Sequence, residues 1–256
     1  KTFQNYLNSK LILFKKLMKK NSYIIFDNDL NISSKIKNIS KKNNLKNLSI
    51  GTKGSNLKIV DHKFSNLEQK ITFSLNNNTF YFSTKLIGSV QIKNILMSIL
   101  AAYKSKLSLK NIINTINKLK PVPGRLEKIG NLKNNSIVIL DYAHTPDALE
   151  VCLKNIKEQF KLRKINLVFG CGGERDKPKR KIMGGIANNY CDKIYLTDDN
   201  PRNENPTKIR NEIKTKISKL KLFEIPSRKF AIKTAIEKTN SDEIVIVAGK
   251  VSEEMH

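Results

Sequence analysis

Four polar clusters in this 256-residue chain sit directly behind short apolar runs, and each holds groups that can handle charge. "DYAHTPD" (141–147) follows "SIVIL", and "GCGGERDKPKR" (170–180) follows "INLVF". "DDNPR" (198–202) follows "KIYLT", and "AGKVSEE" (248–254) follows "EIVIV". In "DDNPR", Pro201 stiffens a turn that should hold Arg202 close to Asp199, beside Asn200. A guanidinium for a carboxylate, next to a carboxylate for an ammonium, forms a receptor for an amino-acid zwitterion. The plainer alternative is an Asx-turn with a solvated Arg202. Arg175 in the glycine-rich run could fork onto a carboxylate or phosphate, or pair with its neighbours Glu174 and Asp176. The glycines there would permit a tight turn and close approach of a ligand. They lack the G-x-G-x-x-G spacing of a dinucleotide fingerprint. His144 reads equally as a phosphate-facing group and as an ordinary loop histidine.

The elements behind these clusters alternate. "SIVILD" leads to a helix over 145–160, "INLVFG" to one over 178–190 and "KIYLTD" to one over 206–220. A further helix over 228–238 leads to "EIVIVAG". Strands alternating with helices predict an α/β fold of Rossmann type with a mostly parallel sheet. In such a sheet ligands bind beyond the carboxyl ends of the strands, which is where all four clusters fall. Upstream, 2–20 has helical periodicity, "SYIIFD" reads as a buried strand and "NISSKIKNISKK" (31–42) as an amphipathic helix. Three or four short strands lie between 47 and 84, with "NNN" as a turn, and two helices follow, the second capped by Ser108. "KPVPGRLE" (120–127) reads as a linker, which divides the chain into domains 1–119 and 120–256.

The net charge of +26 invites a nucleic-acid partner, but its make-up argues against one. Only seven of the 48 basic residues are Arg, the residue suited to bidentate phosphate and base contacts. The lysines are spread thinly over polar faces, and four of the seven arginines (Arg125, Arg175, Arg180, Arg202) lie within motifs. No run approaches the ~18–20 apolar residues of a membrane helix. Cys152, Cys171 and Cys191 have no metal-ligand spacing, and a reducing cytoplasm is the expected context.

"GRLE", "DYAHTPDALE", "FGCGGERDKPKR", "DDNPRNENP" and "VAGK" occur here in the order found in the Mur ligases. The chain resembles the diaminopimelate-adding members over nearly its whole length, most specifically from residue 120 on. The resemblance implies part of a Mur-ligase central domain followed by the C-terminal domain. It implies an ATP- and Mg²⁺-dependent ligase that forms an acyl phosphate, which an amine then attacks. The partners implied are UDP-N-acetylmuramoyl-dipeptide and meso-diaminopimelate, with a monomeric protein, no nucleic acid and no membrane insertion. Residue by residue, it implies that Lys10 in "YLNSKLILF" is carbamylated and binds Mg²⁺, and that Asn94 in "VQIKNIL" contacts adenine. Arg125 would reach the ATP phosphates and Asp141 the ribose, with His144 in the same loop. Arg175, Asp199, Asn200, Arg202, Gly249 and Glu253 would form the diaminopimelate pocket. L-lysine lacks the distal carboxylate, and an unpaired Arg202 should cost about 2–4 kcal/mol.

The sequence departs from the family pattern in three places. Val90-Gln91 stand where Phe-Asn is usual, and Val251-Ser252 where Gly-His is usual. No G-x-x-G-K-[ST] phosphate loop occurs in these residues, so the chain reads as a fragment that does not turn over ATP by itself. A folylpolyglutamate synthetase-like ligase, a non-catalytic amino-acid-binding remnant and a nucleic-acid-binding protein are the alternatives.

Overall fold

The computed structural model describes residues 3–65, 67–132 and 134–249. It divides into two compact units, Lys1–Lys85 with Ser89–Leu119, and Leu86–Gly88 with Lys120–His256.

In the first unit, α1 (Phe3–Ile12) runs into a π-helical turn (Leu13–Leu17), closed by the Met18 N–H on the Leu13 carbonyl at 3.0 Å. The period of the helix was legible, but the change of winding was not, because "LFKKL" contains no helix breaker. Leu7, Leu11, Phe14 and Met18 pack with Ile24, Phe26, Ile36, Ile39 and Leu45. The strands are β1 (Tyr23–Asp27), β2 (Lys46–Gly51), β3 (Leu57–Ser65), β4 (Glu68–Leu75) and β5 (Asn78–Thr84), with α2 (Ser33–Lys42) between β1 and β2. They form one sheet in chain order, parallel from β1 to β3 and antiparallel from β3 to β5. Asn76 and Asn77, at φ 52° and 63°, make the two-residue hairpin between β4 and β5, as expected for residues that tolerate the left-handed region. α3 (Ser89–Lys104) buries Ile92, Ile95, Leu96, Ile99 and Leu100, the stripe of an amphipathic helix. α4 (Leu109–Ile116) has Ser108 at its N-cap, but the Ser108 side chain makes no capping bond.

The second unit is built on a six-stranded sheet: β6 (Glu127–Asn131), β7 (Ile137–Asp141), β8 (Ile165–Phe169), β9 (Lys193–Leu196), β10 (Leu222–Glu224) and β11 (Ile244–Ala248). Its order is β10-β9-β8-β11-β7-β6, and every pair except β6–β7 is parallel. Every residue of β8 and β11 is buried, which is why these runs read as continuously apolar. The helices are α5 (Pro146–Gln159), α6 (Pro178–Tyr190), α7 (Pro206–Lys214) and α8 (Arg228–Glu237). Three begin with proline, whose fixed φ and missing N–H suit a first helical turn. Thr145, Asn205 and Ser227 cap α5, α7 and α8.

Two readings are corrected. The end of the supposed linker begins β6, an antiparallel edge strand with a register shift between Lys128 and Gly130 that hides its alternation. The helix placed over 206–220 ends at Lys214; its chain then turns, with the Ser218 N–H on Asn188 Oδ1 at 2.9 Å, and enters the three-residue β10.

Candidate functional site

The sheet order sets the carboxyl ends of β9, β8, β11 and β7 side by side, so three of the polar clusters and Ala248-Gly249, the described part of the fourth, share one edge of the second unit. Backbone bonds join neighbouring ends. Thr197 N–H meets the Phe169 carbonyl at 3.0 Å, and Gly249 N–H meets the Asp141 carbonyl at 3.0 Å.

At the β8 and β9 ends two loops lie against each other. Gly173 N–H donates to the Asn200 carbonyl at 2.9 Å. A Cβ on Gly173 would sit 1.9 Å from the Pro201 carbonyl oxygen, and one on Gly170 would sit 2.3 Å from that of Thr197. These glycines therefore admit the neighbouring loop, where the sequence reading had them admit a ligand. Arg180 is the clasp. Fully buried, it forks onto Glu204 (NH1–Oε2 3.0 Å, NH2–Oε1 2.9 Å) and reaches Glu212 Oε2 at 3.2 Å and the Gly172 carbonyl at 3.4 Å. Arg210 fixes the other side, donating to Asp198 and to Glu224 Oε1 at 2.8 Å. Arg180 and Arg210 thus take structural roles, which leaves Asp199 as the aspartate of "DDNPR" without an ion pair among the described residues.

Asp199 Oδ1 accepts the Asn200 N–H at 2.7 Å, and Asn200 Oδ1 accepts the Arg202 N–H at 3.2 Å, an Asx-turn within the loop. Arg202 does not lie on Asp199. Its φ of 51° turns it across the loop, where NH1 donates to the Gly173 carbonyl, and the residue is exposed. The cation that faces Asp199 is Arg228, at the start of α8. Beside Gly249 (φ 109°), a single point lies 3.5 Å from Asp199 Oδ2 and 3.7 Å from Arg228 NH2. Arg228 was missed in the sequence. Its signal was a cation in the first turn of a helix, against the helix dipole. Arg175 is exposed and pairs with neither sequence neighbour: Glu174 accepts from Asn203 Nδ2 at 2.7 Å instead. Glu253 lies outside the described residues.

At the β7 end, Asp141 is 8% exposed. Its Oδ2 accepts the Leu126 N–H and its Oδ1 the Ala143 N–H, both at 2.9 Å, so it ties the "GRLE" turn to the strand. Burial raises its pKa, opposed by these two bonds and by the charge of Arg125. Arg125 is exposed and lies over the Tyr142 ring at 5.3 Å, while the His144 ring meets the same tyrosine edge-on at 5.1 Å. His144 Nδ1 lies 2.9 Å from the Tyr142 carbonyl oxygen, and Lys179 Nζ donates to the His144 carbonyl at 2.9 Å. The result is an exposed Arg–Tyr–His stack beside the strand end, a surface suited to an anion or a ring. The three cysteines are free and buried, and burial pushes the Cys171 thiol up to about 11.

Lys10 and Asn94 belong to the first unit. Lys10 is exposed on α1 with its ammonium 5.6 Å from the centre of the Tyr6 ring. Asn94 is exposed on α3, and its Nδ2 donates to Gln91 Oε1 at 3.3 Å. Among the described residues, no three of His, Cys, Asp and Glu gather where they could hold a metal ion. The first unit also has a surface groove of about 910 Å³ lined by Lys63, Lys70, Tyr81 and Lys110, among others, and by none of the residues singled out in the sequence.

Two family descriptions match the chain: the Mur ligase middle domain over residues 1–102, and the Mur ligase glutamate ligase domain over 124–251. A Rickettsia conorii protein named UDP-N-acetylmuramoyl-L-alanyl-D-glutamate--2,6-diaminopimelate ligase is 41% identical over 97% of this chain and 51% of its own length. A protein of the same name from Wigglesworthia glossinidia brevipalpis is 41% identical over 99% of this chain and 51% of its own. The chain spans about half the length of the curated relatives it matches. A solved structure of that name has a TM-score of 0.66 at 29% identity, covering 98% of this chain and 52% of its own. A Mycobacterium tuberculosis folylpolyglutamate synthase complexed with ADP has a TM-score of 0.77 at 13% identity, covering 98% and 57%, which shows a common fold alone.

Proposed function

The chain belongs to the Mur ligase family, and on that premise we propose that the complete protein joins meso-diaminopimelate to UDP-N-acetylmuramoyl-L-alanyl-D-glutamate. In this reading residues 1–119 belong to the central domain and 120–256 form the amino-acid-binding domain. The supporting observation is the apposition of the 170–180 and 198–204 loops at neighbouring strand ends, clasped by Arg180, in a chain 41% identical to relatives of that name.

When bound, ATP would supply its γ-phosphoryl group to activate the substrate carboxylate as an acyl phosphate, leaving ADP, and the incoming amine would displace phosphate from it. The chain's own residues would bind and orient. Arg125 forms no ion pair among the described residues and lies over the Tyr142 ring, an exposed guanidinium suited to phosphate oxygens. His144, on the same ring, would border the nucleotide. Asp141 has both carboxylate oxygens on backbone N–H groups, so ribose would have to share their remaining lone pairs. Asn94 is proposed as an adenine contact on the strength of the "VQIKNIL" resemblance. The described residues do not by themselves make a Mg²⁺ cage. Carbamylated, Lys10 would supply a carboxylate-like ligand for Mg²⁺.

The amino-acid end would be held by Asp199, Asn200, Arg202, Arg175 and Gly249, with Glu253 beyond the described residues. Arg202 has one nitrogen on the Gly173 carbonyl, which leaves the rest of its fork for a distal carboxylate. Because Arg202 is exposed, water can replace that carboxylate. The expected loss on Arg202→Ala is therefore about 1–2 kcal/mol, or roughly 5–30-fold, below the figure for a desolvated guanidinium.

Calorimetric titration of the complete protein with meso-diaminopimelate and with L-lysine tests this. Binding of diaminopimelate, weakened as above by Arg202→Ala and matched by similarly weak binding of L-lysine to the wild type, is the expected result. Equal affinity for both amino acids would overturn the role of Arg202. No binding of diaminopimelate would overturn the substrate assignment.

A further inference from the structure

Arg228 is a costly residue where it stands. Its Nε and NH1 are buried without a hydrogen-bond partner among the described residues, and NH2 alone is engaged, on the Ala248 carbonyl at 3.0 Å. A desolvated guanidinium with one neutral acceptor is unfavourable. Its place at the first position of α8, where unpaired N–H groups already carry partial positive charge, adds to the cost. Burial lowers its pKa, opposed by the charge of Asp199. In a stable core such a side chain is more favourably replaced by an apolar one of similar shape.

Its surroundings are those of the candidate site. The Ala248 carbonyl it holds is the last of β11, immediately before Gly249, whose φ is 109° and whose N–H is bound to Asp141. The space a Cβ would fill at Gly249 is bounded by Asp199 Oδ2 at 3.5 Å and by Arg228 NH2 and NH1 at 3.7 and 4.0 Å. One half-buried cation thus touches the strand end that sets the Gly249 turn and faces the carboxylate of "DDNPR".

We propose that Arg228 is a positioning residue of the amino-acid site, holding the β11 end and the Gly249 turn against Asp199 so that the carboxylate is presented to the substrate ammonium. This rests on the reading of Asp199 as an amino-acid ligand. Arg228 Nε and NH1 are closed to solvent and NH2 is held by the Ala248 carbonyl, so in this proposal the side chain acts through Asp199 and Gly249. The arrangement accepts lower stability for a fixed site geometry.

The test compares Arg228→Met and Arg228→Lys with wild type in the complete protein, by thermal melting, by turnover at varied meso-diaminopimelate and by the Gly249 amide in NMR spectra. Arg228→Met should melt at or above wild type, raise KM for diaminopimelate about tenfold with a smaller change in kcat, and shift the Gly249 amide. Arg228→Lys should recover part of the KM loss. A lower melting temperature with unchanged KM and an unmoved Gly249 amide would make Arg228 an ordinary structural arginine and overturn the proposal. If wild type fails to use diaminopimelate, the substrate assignment falls, while the melting and amide comparison still decides whether Arg228 sets the turn. An unmoved amide then overturns that role.

Discussion

At the scale of single residues, Arg180 shows how a charge becomes part of the framework under a site. Its guanidinium is enclosed, and its partners lie on the loop after β9, on α7 and on the loop after β8. The forked bonds from Arg180, followed by the Glu174 N–H, pull the Glu204 carboxyl down to about 2 from an ordinary 4.5. A carboxylate depressed on folding adds stability above its unfolded pKa and loses it as pH falls through the folded one. Glu204 therefore contributes fully above about pH 4.5 and loses its contribution as pH falls toward 2. Denaturant melts across that window should show wild type losing stability more steeply than Glu204→Gln; identical slopes would refute the coupling. Arg180→Met should destabilise by about 1–3 kcal/mol, less than for a fully buried pair, because Glu204 is 21% exposed and can be rehydrated.

At the scale of elements, the site depends on two loops packed at backbone distance. Gly173→Ala would place a Cβ 1.9 Å from the Pro201 carbonyl oxygen, and a main-chain oxygen cannot swing aside as a side chain can. The loops must separate, at about 1–3 kcal/mol by the scale of overpacking. Weaker diaminopimelate binding with unchanged far-UV circular dichroism is the expected result; full affinity would show that the apposition is not needed for the site. The strands and helices around these loops were legible because apolar runs, proline-started helices and Asn or Ser caps leave local marks. The loop-to-loop contact was not, since it joins residues about thirty positions apart with no local signature. The same limit explains Arg202 and Arg228. Proximity in sequence paired Arg202 with Asp199, whereas the fold turns Arg202 toward Gly173 and brings Arg228 from another helix. β6 escaped notice for a related reason: a register shift breaks its alternation, and its partner β7 alone identifies it as a strand.

At the scale of the whole molecule, the charge of +26 must be reconciled with a site read as binding small zwitterionic and anionic molecules. The arginines divide by role. Arg163, Arg180 and Arg210 make ion pairs with carboxylates, Arg228 is half-buried with its Nε and NH1 enclosed, and Arg125, Arg175 and Arg202 lie at the strand-end loops. The excess charge is carried by lysines, spread through both units as point charges on flexible stems. Such a surface attracts any polyanion through counterion release, without reading bases, and the attraction decays steeply with salt. Duplex DNA should therefore bind weakly and without sequence preference in low salt, and should be released at physiological ionic strength or above, where the Debye length is about 8 Å. Titrating fluorescent duplexes at several salt concentrations, with and without diaminopimelate, measures this. Binding that discriminated between duplexes, or that survived high salt, would require an organised interface and would restore the nucleic-acid reading. Release of every duplex alike would leave the lysines as a solvated surface, with no role in the ligand site proposed at the strand-end edge of the second unit.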